Sequence, residues 1–210
     1  HPVGYFLLNT LKHLKEKDLE LFGYSNLNKK DKLSDKLKFY FDNWSEIANI
    51  DDKGVVNQIR KDKIHILIDL SGHTRKNRLT IFVNKPAPIQ VSWGGFAAST
   101  GMPEIDYIIG DSIVTPPSEK KHFTEKVFTL SNSWVSFTPP DFDIVPENAP
   151  VNKNGYITFG SFNNLSKINN EVIALWSKIL RAVPKSKIFL KTKELNNSYL
   201  KKMIIENFKK

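Results

Sequence analysis

The chain has 210 residues, 40% hydrophobic and 25% charged, the balance of a water-exposed globular protein of one domain or parts of two. It has no cysteine, which excludes disulfides and Cys-ligated metal sites, and no apolar run long enough to span a bilayer. The net charge of +9 sits wholly in residues 151–210, with 12 Lys/Arg against 3 Asp/Glu, while residues 1–150 balance at 19 and 19. Those lysines lack the interleaved aromatic residues of a single-strand binder and read as solvated surface, so neither nucleic acid nor membrane is expected as a partner. The chain begins with His1, not Met, and no basic-then-apolar signal segment follows. It reads as a fragment or processed piece, and the missing cysteines favour a reducing, cytoplasmic setting.

In chain order, Pro2–Leu14 reads as an amphipathic helix with His1 at its cap. Leu19–Tyr24 alternates like a strand. Leu33–Phe41 is a helix, and Val55–Lys61 a second one capped by Asp51-Asp52. Ile64–Leu70 reads as a central buried strand with His65 half-buried inside it. Arg75–Asn84 is a helix stopped by Lys85-Pro86. Ile89–Trp93, Tyr107–Ile109 and Val127–Leu130 complete the strands of the first part. Alternation of this kind predicts an α/β fold with a mainly parallel sheet over residues 1–140.

Residues 141–155 lie in a proline-rich stretch without periodicity and read as a linker or surface crossover. A second domain then starts over residues 156–210. Tyr156–Phe162 is a buried strand, and a helix from Asn169 or Asn170 to Ala182 follows, stopped by Pro184. Ile188–Leu190 is the next strand, and a lysine-rich helix spans Asn196–Phe208. One such β-α-β-α unit cannot bury both faces of a sheet, so further sequence is expected.

Ligands of open α/β sheets bind at the carboxyl ends of the strands. Three candidate groups lie there. Gly94 and Gly95, with Ser99, Thr100 and Gly101, form either a backbone-lined wall for a sugar or diphosphate or a tight turn. His73, after Asp69-Leu70-Ser71-Gly72, is either a base or hydroxyl ligand or a cap of the next helix. Asn163, Asn164 and Lys167 stand where a strand meets a helix N-terminus, which attracts anions. Lys167 there either offsets charge on a leaving diphosphate or is one more surface lysine. The histidines 1, 13, 65, 73 and 122 show no metal-ligand spacing, and neither a P-loop nor GxGxxG is present.

Together these segments resemble the catalytic region of the O-linked N-acetylglucosamine transferase family, including its bacterial and SPINDLY-type members. The resemblance lies in HPVG at 1–4, DLSGHTRKNRLTIF at 69–82 and KPAPIQVSWGGFAASTGMPEIDYIIGD at 85–111. It continues in FGSFNNLSKIN at 159–169 and LWSKILRAVPKSKIFL at 175–190. It implies a GT-B architecture of two Rossmann-like domains, most of the first and the start of the second lying in this chain. It also implies metal-free, inverting transfer of N-acetylglucosamine from UDP-GlcNAc to Ser or Thr hydroxyls of proteins. His1 then corresponds to the family's active-site histidine, and Gly94 and Gly95 to the loop touching the donor sugar. Lys167 corresponds to the lysine on the UDP diphosphate, and Asn164 stands where the family often has Gln against the nucleotide. WGGFAAS replaces the family's usual WLGYPGT. The family's tetratricopeptide repeats and the remainder of its second domain are not in these residues. A branch of the family uses UDP-glucose, and a non-catalytic sugar-nucleotide or partner-binding module is the rival reading.

Overall fold

The computed structural model describes residues 2–27, 31–141, 145 and 147–209, and the chain divides into two units, residues 1–141 and 142–210. In the first unit, helix α1 (Pro2–Lys15) buries Val3, Gly4 and Leu11 and packs on α2 (Lys32–Lys38). Side-chain caps set the helix starts. Asp31 accepts the Ser34 N–H at 2.8 Å to open α2, and Asp51 accepts the Gly54 N–H at 2.8 Å to open α3 (Asp52–Lys61). Val55, Val56 and Ile59 then fall on one face of α3 and are buried.

Strand β1 (Phe22–Ser25) pairs in parallel with β2 (Asn43–Glu46) as a two-stranded sheet. Strands β3 (Ile66–Asp69), β4 (Ile89–Ser92), β5 (Tyr107–Asp111) and β6 (Lys126–Leu130) form a four-stranded sheet in that order, every pair parallel. The short helix α4 (Leu79–Val83) joins α3 in covering one face. Ile47, Val55, Val56, Ile59, Leu67, Phe82 and Ile105 pack there as the core, each contributing about 1.5–3 kcal/mol of burial. The register places Ile66 beside Ile89 and Ile109 beside Phe128 on the other face, where Ile66, Ile68, Ile89 and Phe128 are 39–56% exposed.

A buried polar tie locks α4 to the sheet. Gln90, wholly buried, donates to the carbonyls of Phe82 and Glu104 at 3.0 and 2.8 Å. Asp106 accepts the Gln90 N–H at 2.7 Å and pairs with Lys85 at 2.5 Å. Burial raises the Asp106 carboxyl, but Lys85 and the Gln90 N–H outweigh it and hold the group below its usual range.

The second unit holds α5 (Pro150–Asn154), β7 (Thr158–Ser161), α6 (Asn170–Ala182), β8 (Lys187–Leu190) and α7 (Ser198–Phe208). β7 and β8 pair in parallel. Asn169 caps α6 through the Val172 N–H at 2.9 Å, and Asn197 caps α7 through the Tyr199 N–H at 3.0 Å. Among its described residues Ile173 and Ile204 are the buried apolar ones.

The structure corrects several expectations. β3 is an outer strand of its sheet, not a central one, and its alternate residues Ile66 and Ile68 are exposed. His65 precedes that strand and is exposed, and its carbonyl accepts the Ile89 N–H at 3.2 Å. The helix expected over 75–84 shrinks to Leu79–Val83, because residues 70–77 are drawn into turns. β2 was not foreseen, since NWSE has no apolar run. The crossover at 141–155 contains α5, and β7 alternates exposed and half-buried residues where a buried strand was expected. Lys187 lies on the surface as expected, with its ammonium 4.2 Å from the centre of the Tyr156 ring. No helix of the described residues is long and apolar enough to cross a membrane.

Candidate functional site

In the four-stranded sheet the turns that follow β3 and β4 meet. Asp69 closes β3 and is buried. Its carboxylate accepts the N–H groups of Ser71 at 3.1 Å and Gly72 at 2.6 Å, which bends the chain sharply out of the strand. Burial pushes the Asp69 carboxyl above its usual range, and the two N–H groups pull it part of the way back. The Asp69 carbonyl accepts the Trp93 N–H at 2.9 Å, so the exit of β4 is tied to the exit of β3.

The loop leaving β4 turns at once. Gly94 has φ +79°, which a side chain would oppose, and the Gly95 N–H folds back on the Trp93 carbonyl at 3.0 Å. Gly95 is pressed against the backbone of Leu70, so that a Cβ there would stand 1.9 Å from the Leu70 oxygen. The residues beyond present main chain: Ala97 and Ala98 are exposed. Among the described residues, their N–H groups have no acceptor. A ligand arriving here meets small side chains and free backbone donors, the surface that suits a sugar or phosphate oxygen.

Polar ties fix the far side of this loop. His73 Nε2 is 2.8 Å from the Thr100 carbonyl, and its ring stands edge-on to Phe96 at 6.0 Å. His73 therefore braces one loop on the other. It does not cap α4, whose first N–H, that of Leu79, is instead taken by Asn77 Oδ1 at 3.2 Å. Ser99 and Thr100 are held by Glu125, a buried carboxylate immediately before β6. Trp93 Nε1 donates to the Trp134 carbonyl at 2.6 Å, and Trp134 N–H donates to Asp111 at 2.8 Å. The N–H groups of Val114, Trp134 and Ile113 hold the Asp111 carboxyl below its usual range.

Arg78 joins these turns to the end of the β1–β2 pair. Its guanidinium donates to Asp52 at 2.6 Å, to the carbonyls of Ile50 and Ile47 at 2.9 and 3.3 Å, and to Asn26 at 3.3 Å. Asp52 is lowered first by the Thr80 hydroxyl and then by Arg78, against burial.

Of the residues singled out in the sequence, Gly94, Gly95, Ser99, Thr100 and His73 gather in this loop pair. Asn164 and Lys167 belong to the second unit. Asn164 is exposed and caps a 3-10 turn over Leu165–Lys167, its Oδ1 accepting the Ser166 N–H at 3.0 Å. Lys167 is exposed, and among the described residues no carboxylate pairs with it. His1 lies outside the described residues. Glu125 was missed from the sequence, because a lone Glu 25 residues downstream of Thr100 carries no local pattern. Among the described residues no group of three or more His, Asp or Glu side chains could hold a metal ion.

Comparison with known proteins shows what the chain is similar to. The model of glycosyl transferase family 41 matches residues 1–137. A probable UDP-N-acetylglucosamine–peptide N-acetylglucosaminyltransferase, SPINDLY of Solanum lycopersicum, is 40% identical over 198 residues, covering 92% of this chain and 21% of that protein. The Arabidopsis thaliana SEC protein, a probable enzyme of the same name, is 28% identical over 199 residues, covering 90% of this chain and 20% of that protein. The chain thus spans about a fifth of the length of these curated relatives. A solved O-GlcNAc transferase of Thermobaculum terrenum, a lysine-to-methionine variant, superposes with a TM-score of 0.89 at 35% identity. That match takes in 100% of this chain and 39% of the other, and the fold is accordingly the α/β, parallel-sheet GT-B type. By the match over residues 1–137 and the likeness of its relatives, the chain belongs to glycosyl transferase family 41.

Proposed function

We propose that the protein carrying this chain moves N-acetylglucosamine from UDP-GlcNAc to Ser or Thr hydroxyls of proteins, inverting the anomeric carbon and needing no metal. The observation that carries the reading is 40% identity across 92% of the chain to a protein named for this transfer. The Gly94–Ala98 turn agrees with it, because unpaired backbone donors suit a sugar.

In this reading the acceptor hydroxyl oxygen attacks the anomeric carbon while the bond to the UDP oxygen breaks. UDP leaves with the bonding electrons, and the hydroxyl proton goes to a base, for which His1 is the candidate. Lys167 offsets the charge growing on the diphosphate, a contribution made mainly in the transition state. Asn164 contacts the nucleotide, and the backbone at Gly94 and Gly95 contacts the donor sugar. The same reading gives the whole protein the tetratricopeptide repeats of bacterial family members, a cytoplasmic site of action and a protein acceptor, with no nucleic-acid or membrane partner.

The test supplies the intact protein with sugar-labelled UDP-GlcNAc or UDP-glucose and a mixture of proteins. Label is expected on hydroxyl side chains from UDP-GlcNAc, at least about tenfold faster than from UDP-glucose. Preference for UDP-glucose, or no transfer from either donor, overturns the proposal.

A further inference from the structure

We infer that Glu125 is a positioning residue for the donor-sugar loop, acting through Thr100; this rests on the function proposed above. The Thr100 backbone is gripped from both sides. Its N–H donates to Glu125 Oε1 at 2.7 Å, and its carbonyl meets His73 Nε2 at 2.8 Å. The Thr100 hydroxyl also donates to Oε1, and Ser99 Oγ donates to Oε2 at 2.8 Å. Those hydroxyls in turn accept further main-chain groups. Ser99 Oγ takes the N–H of Gly101 at 3.0 Å and of Thr124 at 3.2 Å, and Thr100 Oγ1 takes the N–H of Met102 at 3.3 Å. One carboxylate thus organises the main chain from Ser99 to Met102.

Two features separate this group from an ordinary surface contact. Glu125 is 4% exposed and Thr100 is 4% exposed, so water does not replace the bonds when they are lost. Among the described residues no Lys, Arg or His pairs with Glu125, so the loop's own donors are what satisfy it. Upstream, Gly95 is wedged against Leu70; downstream, Glu125 holds Thr100. The exposed Ala97–Ala98 backbone hangs between these two anchors, and its position is only as definite as they are. Displacement of such a surface by about 1 Å is enough to cost a sugar nucleotide much of its binding.

The test compares Glu125→Ala and Glu125→Gln in the intact protein, each shown to fold by circular dichroism. A glutamine keeps the oxygen that the Thr100 N–H and hydroxyl use and gives up only the acceptor of the Ser99 hydroxyl. For Glu125→Ala the KM for UDP-GlcNAc is expected to rise about tenfold. Hydrogen exchange is expected to speed up at residues 99–102 while the amides of β3–β6 stay protected. Glu125→Gln is expected to recover KM to within about threefold. A role in folding alone lowers kcat through the active fraction and leaves KM untouched. Wild-type transfer with KM unchanged in folded Glu125→Ala overturns the inference and leaves the proposed function standing. Absence of transfer by the wild type overturns the proposed function, and the inference falls with it.

Discussion

Gly95→Ala tests the turn out of β4 most sharply. A Cβ at this position would lie 1.9 Å from the Leu70 carbonyl oxygen, 2.5 Å from its carbon and 3.0 Å from Ser71 Cα. All three are main-chain atoms, and the Trp93–Asp69 bond at 2.9 Å prevents the two strand exits from simply drifting apart. Overpacking costs about 1–3 kcal/mol, and a clash with backbone rather than a rotatable side chain belongs at the upper end, about 2–3 kcal/mol. In a unit of 141 residues, each kcal/mol lowers Tm by about 3–4 °C, so a loss of about 6–12 °C is expected. Gly94→Ala is the matched comparison. Its Cβ would find space, the nearest atom being a Leu70 methyl at 3.8 Å, and only the φ of +79° opposes it. Strain of that kind is worth about 1–2 kcal/mol, or about 3–8 °C. Thermal unfolding followed by circular dichroism reads both variants against the wild type. A Gly95→Ala melting point within about 1 °C of wild type, or one above that of Gly94→Ala, refutes the packing argument.

Acid stability follows from the carboxyl groups. Asp52, Asp106 and Asp111 are lowered in the folded chain, so the stability they lend is complete above their unfolded value of about 4 and is lost as pH falls through the lower folded values. Asp69 runs the other way: its contribution is complete below about pH 4 and is lost as pH rises through its raised folded value. Urea midpoints of the wild type should therefore fall between about pH 5 and pH 3, and Asp111→Asn should flatten that fall; an unchanged slope would count against the assignment. Arg78→Lys keeps the charge but loses the fork that reaches Asp52, Asn26 and two carbonyls at once. It should lower stability by about 1–2 kcal/mol in urea titration, whereas equal midpoints would show that the charge alone suffices.

Much of the architecture was legible because its signals are local. Asp51 and Asn169 each announce a helix start by a side chain that can reach back to the main chain, and both do so. β4 and β5 stood out as apolar runs ending in small residues. What failed depended on distance. The run at 64–70 looks like a buried central strand, yet burial is decided by neighbours, and β3 has a hydrogen-bonded strand on one side only. The pattern of 75–84 suits a helix, but the Asp69 carboxylate captures the N–H groups of Ser71 and Gly72, and positive φ at Gly72 and Lys76 keeps the chain in turns. In the site, Gly94 and Gly95 were legible by composition, since few residues tolerate such a turn. Asn164 was legible only by position, and its oxygen turns out to serve the adjacent turn. His73 showed its residue type but not its partner, and the Thr100 carbonyl that occupies it lies 27 residues away.

The most direct test is UDP binding and sugar transfer by the intact protein with Lys167→Ala, and Lys185→Ala as a control from the same lysine-rich segment. Loss of a charge-assisted bond to the diphosphate predicts UDP affinity about ten- to a hundredfold weaker for Lys167→Ala, transfer reduced at least as much, and Lys185→Ala unchanged in both. Lys167→Ala binding UDP and transferring sugar as well as the wild type would contradict the account.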